Sequence, residues 1–269
     1  MRRFQKTKAI CVLFLMSCVL ILVACGKKEE AVNEKPKEVE KPAEKEVVRI
    51  YIKTGLEEAF EEIVENFEKD NTDIDLEPIF LTKEEILEEV KNDEKSSVVF
   101  TTEDIVKELI DSDLINQRDT KFLMMDELVL FTKSEDPIVQ RTKDINEETR
   151  VAILNPEKYE EGKMSKDIFT DESFEQVKEE NFLIGDSAED VIQDVMNNNA
   201  QIGVLYQSDI YNNEAFRTLI RAPRRVVEPF IFQLGLVSKP ESSEASRTVY
   251  NYLLSEDVQS ILSKYGYVV

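Results

Sequence analysis

Val47-Val48-Arg49-Ile50-Tyr51-Ile52-Lys53-Thr54-Gly55-Leu56-Glu57-Glu58-Ala59-Phe60 is the stretch on which the fold of this 269-residue chain turns. Its first six residues are β-rich and run into the turn pair Thr54-Gly55. From there Leu56, Ala59, Phe60, Ile63, Val64 and Phe67 recur at intervals of three and four, the apolar stripe of an amphipathic helix. Outward from this strand-turn-helix unit the alternation repeats. A strand is predicted over 74–80, a helix over about 83–90, a short buried strand at Val98-Val99-Phe100 and a helix near 104–110. Strands alternating with helices imply βαβ units and a parallel sheet.

The second half carries the same theme. Residues 127–132 and 150–154 read as strands, and Pro156 suits the first turn of a helix after them. Phe182-Leu183-Ile184 is a further strand candidate, with Asp186 and Ser187 placed to cap a helix that runs to about Asn197. Ile202-Gly203-Val204-Leu205-Tyr206 is strand-like. Residues 226–237 read as one long extended segment, in which Pro229 points to an edge or a crossing between lobes. Val258, Ile261, Leu262 and Tyr265 mark a terminal helix. The order suggests two α/β lobes, the first built from 47–130 and 225–269 and the second from 131–224.

Before this body the composition changes. Arg2, Arg3, Lys6 and Lys8 precede a short apolar run from Ala9 to Val23 that ends in Leu22-Val23-Ala24-Cys25-Gly26. A basic start, a short apolar core and small residues before a cut site describe a secretory signal over 1–24. The run is short for a membrane span and no stop-transfer pattern follows it. Leu-Val-Ala before Cys25 resembles the lipobox of bacterial lipoproteins, which implies cleavage before Cys25 and diacylglyceryl attachment to it. The expected location is the extracytoplasmic face of the cell membrane, reached through a lipid anchor. Residues 27–46 are charged, hold Pro36 and Pro42 and have almost no apolar content, so 25–46 reads as a lipidated cysteine on a flexible tether.

Charge and composition exclude a good deal. Acids outnumber bases 56 to 34, for a formal charge of −22, so nucleic acid and anionic surfaces repel the chain. Histidine is absent, which removes Ser-His-Asp triads, Cys-His dyads and histidine zinc sites. Cys11 and Cys18 lie in the expected signal and Cys25 carries the expected lipid, leaving the mature body without a thiol. The acidic runs Asp70-Asn71-Thr72-Asp73-Ile74-Asp75 and Asp111-Ser112-Asp113 lack the glycine and terminal glutamate of a calcium loop. Neither a P-loop nor a G-x-S-x-G turn is present. No catalytic residue, metal or cofactor is expected.

Several stretches, in order along residues 47–269, resemble the periplasmic molybdate-binding proteins, within the type II solute-binding proteins of ABC importers. They are the opening strand with Thr54-Gly55-Leu56-Glu57-Glu58-Ala59, then Val98-Val99-Phe100-Thr101-Thr102, Glu127-Leu128-Val129-Leu130, and Asn155-Pro156-Glu157 with Gly162. Gln201-Ile202-Gly203-Val204-Leu205-Tyr206-Gln207-Ser208-Asp209 matches best, and Leu254-Ser255-Glu256-Asp257-Val258-Gln259 with Tyr265-Gly266-Tyr267 completes the series. The resemblance implies an α/β, two-lobed type II periplasmic-binding-protein-like fold with a ligand cleft between the lobes. It further implies a monomer that hands its solute to an ABC permease. The ligand it implies is a small oxyanion such as molybdate or tungstate, held by helix amino termini and hydroxyls without a cation.

Carried over by position, the contacts fall at Thr54 and Gly55, at Thr82 and Lys83, at Asn155, at Ala188 and at the phenol of Tyr206. Free N–H groups and the helix dipole favour an anion at such turns. The pattern differs here at Gly55, where the family has a serine, and at Thr82-Lys83, where it has a serine pair. Glu57, Glu58, Glu84 and Glu85 also crowd the first turns of two of those helices, where carboxylates compete with an anion. The plainer reading treats the threonines and Ser187 as helix caps, Lys83 as a solvated lysine and Tyr206 as a half-buried strand-end tyrosine. The alternatives to an oxyanion are a different small ligand, or a degenerate cleft that serves as a surface receptor.

Overall fold

A computed structural model describes residues 45–93, 97–171, 177–238 and 243–269. The expected signal, Cys25 and nearly all of the tether lie outside the described residues. Strand β1 (Glu46–Lys53) leads into α1 (Glu57–Asp70), and β2 (Ile74–Leu81) leads into α2 (Lys83–Asn92). Then come β3 (Val98–Thr102), α3 (Glu103–Asp111) and the long β4 (Ile115–Asp126). The chain continues through β5 (Leu128–Lys133), β6 (Val151–Leu154), α4 (Glu160–Ile168), β7 (Phe182–Gly185) and α5 (Ala188–Met196). It closes with β8 (Ile202–Tyr206), the single turn α6 (Gln207–Ile210), β9 (Phe216–Arg221), β10 (Phe230–Val237), α7 (Glu244–Leu253) and α8 (Glu256–Lys264).

Two five-stranded sheets result, ordered β2-β1-β3-β10-β4 and β7-β6-β8-β5-β9. In the first, β1 pairs in parallel with β2 and β3, while β10 runs antiparallel to β3 and β4. In the second, β6 pairs in parallel with β7 and β8, and β5 runs antiparallel to β8 and β9. Each sheet is therefore mixed rather than wholly parallel. The antiparallel members are those next to the two chain crossings, because a strand that arrives from the other lobe has no crossover helix to reverse it. Pro78 sits in β2, an edge strand, where no second ladder needs its missing N–H.

The α1 stripe packs onto the first sheet. Phe60 is fully buried, with its ring 5.0 Å from that of Phe100 and 6.3 Å from that of Phe80, both edge-on. Ala59, Ile63 and Phe67 join Ile50, Ile52 and the apolar faces of α7 and α8 in one core. Tyr51, Ile86, Val90, Ile105 and Leu109 fill a second core beneath α2 and α3. In the other lobe, Val151, Ile153, Ile168 and Phe169 pack on one face and Ala152, Val191, Val195 and Phe216 on the other.

Four details correct the sequence reading. The chain leaves the first sheet between Asp126 and Leu128, not at 130, since Leu128–Phe131 already pair with β8. The return falls near Pro229 rather than at 225, since Val227 belongs to the second lobe's core. Residues 226–229 are not strand, because the N–H groups of Val226 and Val227 both donate to the carbonyl of Pro223 in a turn. Pro156 does not start a helix: the carbonyl of Asn155 accepts from Lys158 and Tyr159, closing a turn, and α4 begins at Glu160.

Candidate functional site

The carboxyl ends of β1 and β2 lie side by side, Lys53 opposite Leu81, and Thr54 donates its N–H to the Leu81 carbonyl at 3.1 Å. The expected contacts Thr54, Gly55 and Thr82 thus share one edge of the first lobe. Gly55 has φ +103°, the left-handed region in which a serine would be strained, so the geometry of the turn itself requires glycine here. In the second lobe Asn155 donates its N–H to the Gly185 carbonyl at 2.9 Å and its side-chain amide to Asp186 at 3.1 Å. That brings Asn155 and the start of α5, where Ala188 stands, together as a second group.

Each of these turns is already closed by a carboxylate of the chain. Gly55 N–H donates to Glu57 at 2.9 Å, and both the N–H and the hydroxyl of Thr82 donate to Glu85 at 2.8 Å. Asp186 N–H donates to Asp190 at 3.0 Å and Tyr206 N–H to Asp209 at 3.2 Å. Ser187 caps α5, its hydroxyl accepting from the Asp190 N–H at 3.2 Å. At Thr82 this is a capping box, in which a side chain of the first turn satisfies donors that the helix leaves free. Lys83 reaches away to α3, where its ammonium pairs with Glu108 at 2.7 Å and Asp104 at 3.1 Å.

Between the lobes lies a cavity of about 230 Å³. Gly55 and Glu57 line it from the first lobe, Ser208 and Asp209 from the second, and Tyr265 and Tyr267 close it. Drug-sized ligands occupy about 300–1,000 Å³, so this space suits a smaller solute. Of the expected contacts only Gly55 lines it; Thr54, Thr82, Lys83, Asn155, Ala188 and Tyr206 do not. Tyr206 stands two residues before Ser208, its ring 6.0 Å from that of Phe230 on the returning strand. Burial pushes its phenol up from the usual tyrosine range, with the charges of Glu161 and Asp126 adding to the effect, so it stays a neutral donor.

Sequence reasoning missed the residues at the crossing. Asp126, buried at the end of β4, accepts from the Ser208 hydroxyl at 2.5 Å and so joins the hinge to α6. Burial pushes its carboxyl up to about 7, against the Ser208 hydrogen bond and with the Asp209 charge reinforcing burial. Tyr267 donates to the Gly55 carbonyl at 3.4 Å, and Val268 forms a bridge to Met125. Glu127, on the outgoing crossing, pairs with Arg221 at 3.0 Å at the end of β9 and with Arg224 at 2.7 Å in the turn after it. An Asp-Glu pair between two apolar strands is the only sequence signal that marked this place. Among the described residues no group of three or more His, Cys, Asp or Glu is placed to hold a metal ion.

Two α/β lobes, a double crossing and a small cavity walled by both lobes define a binding protein of the periplasmic type. The chain belongs to the bacterial extracellular solute-binding protein family, whose sequence pattern matches residues 48–268. It is 22% identical over 254 residues, 94% of its own length and 95% of the relative's, to YvgL of Bacillus subtilis (strain 168), provisionally named an ABC transporter substrate-binding lipoprotein. Among solved structures it is similar to the substrate-binding domain of a provisionally named molybdenum ABC transporter from Clostridium difficile, with TM-score 0.71 and 20% identity, covering 82% of this chain and 98% of that one. It is also similar to the Azotobacter vinelandii periplasmic molybdate-binding protein, with TM-score 0.56 and 15% identity, covering 82% and 99%. The two-lobed fold expected from the sequence is the one these structures share, and the family is one of solute-binding proteins, not enzymes.

Proposed function

We propose that this protein is the lipid-anchored, extracytoplasmic solute receptor of an ABC importer and that it holds a small, molybdate-like oxyanion between its lobes by hinge closure. The observation that carries the reading is the cavity of about 230 Å³ shared by the start of α1 and by α6, one from each lobe. A solute that touches both walls binds the closed form better than the open one, and that difference alone drives closure. The names of the relatives support an importer, and those of two structural neighbours support molybdate. The anchor rests on Leu22-Val23-Ala24-Cys25 and on the relative's name as a lipoprotein. Thr54, Gly55, Thr82, Lys83, Asn155, Ala188 and Tyr206 remain the proposed contacts, of which Gly55 lines this cavity. Those whose donors are held by Glu57 and Glu85 become available when the ligand displaces these carboxylates.

Calorimetry with molybdate, tungstate, sulfate and phosphate tests the ligand class, and no heat with any of them at micromolar protein rejects it. Loss of the membrane-bound form in a Cys25→Ser chain tests the anchor. The carboxylates on Gly55 and Thr82 favour one alternative, the same fold with a different small ligand. A metabolite screen by thermal shift separates the two readings, because a ligand selective for the folded state raises the melting midpoint.

A further inference from the structure

Lys53 is the last residue of β1, at the sheet end that meets the other lobe, and it is half-buried. Its ammonium lies 5.0 Å from the centroid of the Phe230 ring, on the returning crossing. The same ring is 6.0 Å from Tyr206 of the second lobe, so Lys53, Phe230 and Tyr206 form a chain of contacts across the mouth of the hinge. Among the described residues Lys53 makes no ion pair, while Lys83, by contrast, is held by two carboxylates of α3. An aromatic face attracts a cation without consuming its N–H donors, which stay free for a ligand oxygen.

The neutral donors that the resemblance assigns on this lobe are engaged. Thr54 N–H serves the β1–β2 ladder, Gly55 N–H is held by Glu57, and Thr82 by Glu85. An anion entering a chain of formal charge −22 therefore meets carboxylates at these turns, and Lys53, directly before Thr54 in sequence though outside the lining of the cavity, is an ammonium that no ion pair holds among the described residues. We propose that Lys53, positioned by the face of Phe230, supplies the charge that pairs with the anionic ligand, so that recognition here is cation-assisted rather than made by neutral donors alone. The inference deepens the oxyanion reading and rests on it.

The test is calorimetry on the full chain in detergent with molybdate, tungstate, sulfate and phosphate, for the wild type and for Lys53→Met, Lys53→Arg and Phe230→Leu. A charged hydrogen bond lost from the site weakens binding about tenfold or more. The expected result is a loss of that size in Lys53→Met, near-retention in Lys53→Arg and a smaller loss in Phe230→Leu. Wild-type affinity is also expected to fall as salt is raised. Equal affinity in the wild type and Lys53→Met overturns the inference and leaves the oxyanion reading standing. Absence of heat in the wild type with all four anions overturns both. Should the methionine protein not fold, wild-type affinity that does not fall with salt overturns the pairing by itself.

Discussion

Asp126 binds Ser208 from a position where its carboxyl holds a proton up to about pH 7, while the unfolded chain releases it near 3.8. Between those values the unfolded state binds fewer protons than the folded one, so this group's contribution to stability is fully present only below about pH 3.8 and is lost as pH rises through 7. Asp126→Asn is therefore expected to melt higher than the wild type at pH 8 and level with it below about pH 3.8. The upper bound on the gain is about 4 kcal/mol, and calorimetric melts across that range read it. Glu57 offers a second test at this scale, because its carboxylate occupies the Gly55 N–H beside the cavity. Glu57→Gln removes a like charge and is expected to tighten oxyanion binding by about 1 kcal/mol, roughly fivefold by titration. Glu57 was legible in the sequence as a competitor for the anion, whereas Asp126 was not. Its burial depends on a long-range contact with Ser208 that no local pattern announces.

Elements with a clean period declared themselves, and those without did not. The α1 stripe, the capped start of α5 and the run Ile202–Tyr206 all stand where spacing put them. Strand β4 went unseen because Arg118, Asp119, Thr120 and Lys121 interrupt its alternation, as suits a strand at the sheet edge. Strand β9, another edge, and α7 were missed as well. Within β8, Gly203 admits the Phe131 ring so closely that a Cβ would lie 2.2 Å from it. Phe131 is fully buried and packs edge-on against Phe216 at 5.1 Å, so it has little room to yield. Gly203→Ala is expected to cost about 1–3 kcal/mol, read as a lower denaturant midpoint with unchanged slope.

The whole molecule turns on its two crossings. Glu127 is 7% exposed and ties the outgoing crossing to Arg221 at the end of β9 and Arg224 in the turn after it, whose own side chains are more than half exposed. Solvent supports the arginines once the carboxylate is gone, so Glu127→Ala is expected to cost only about 1–3 kcal/mol. Ligand closure at these crossings should also shrink the radius of gyration, which small-angle scattering of the saturated protein measures. Two lobes and a return were readable from the order of the elements. The residues that bind the lobes to each other were not, since they come from segments distant in sequence and brought together only by folding.

The cavity between α1 and α6 has one wall on each lobe, and the chain holds no tryptophan and no cysteine beyond residue 25. In a chain without residues 1–25, one dye on Glu58→Cys and another on Tyr211→Cys would report on facing walls with no competing thiol or indole. The lobes would then act as the two jaws of an optical caliper whose reading is the concentration of solute around the protein.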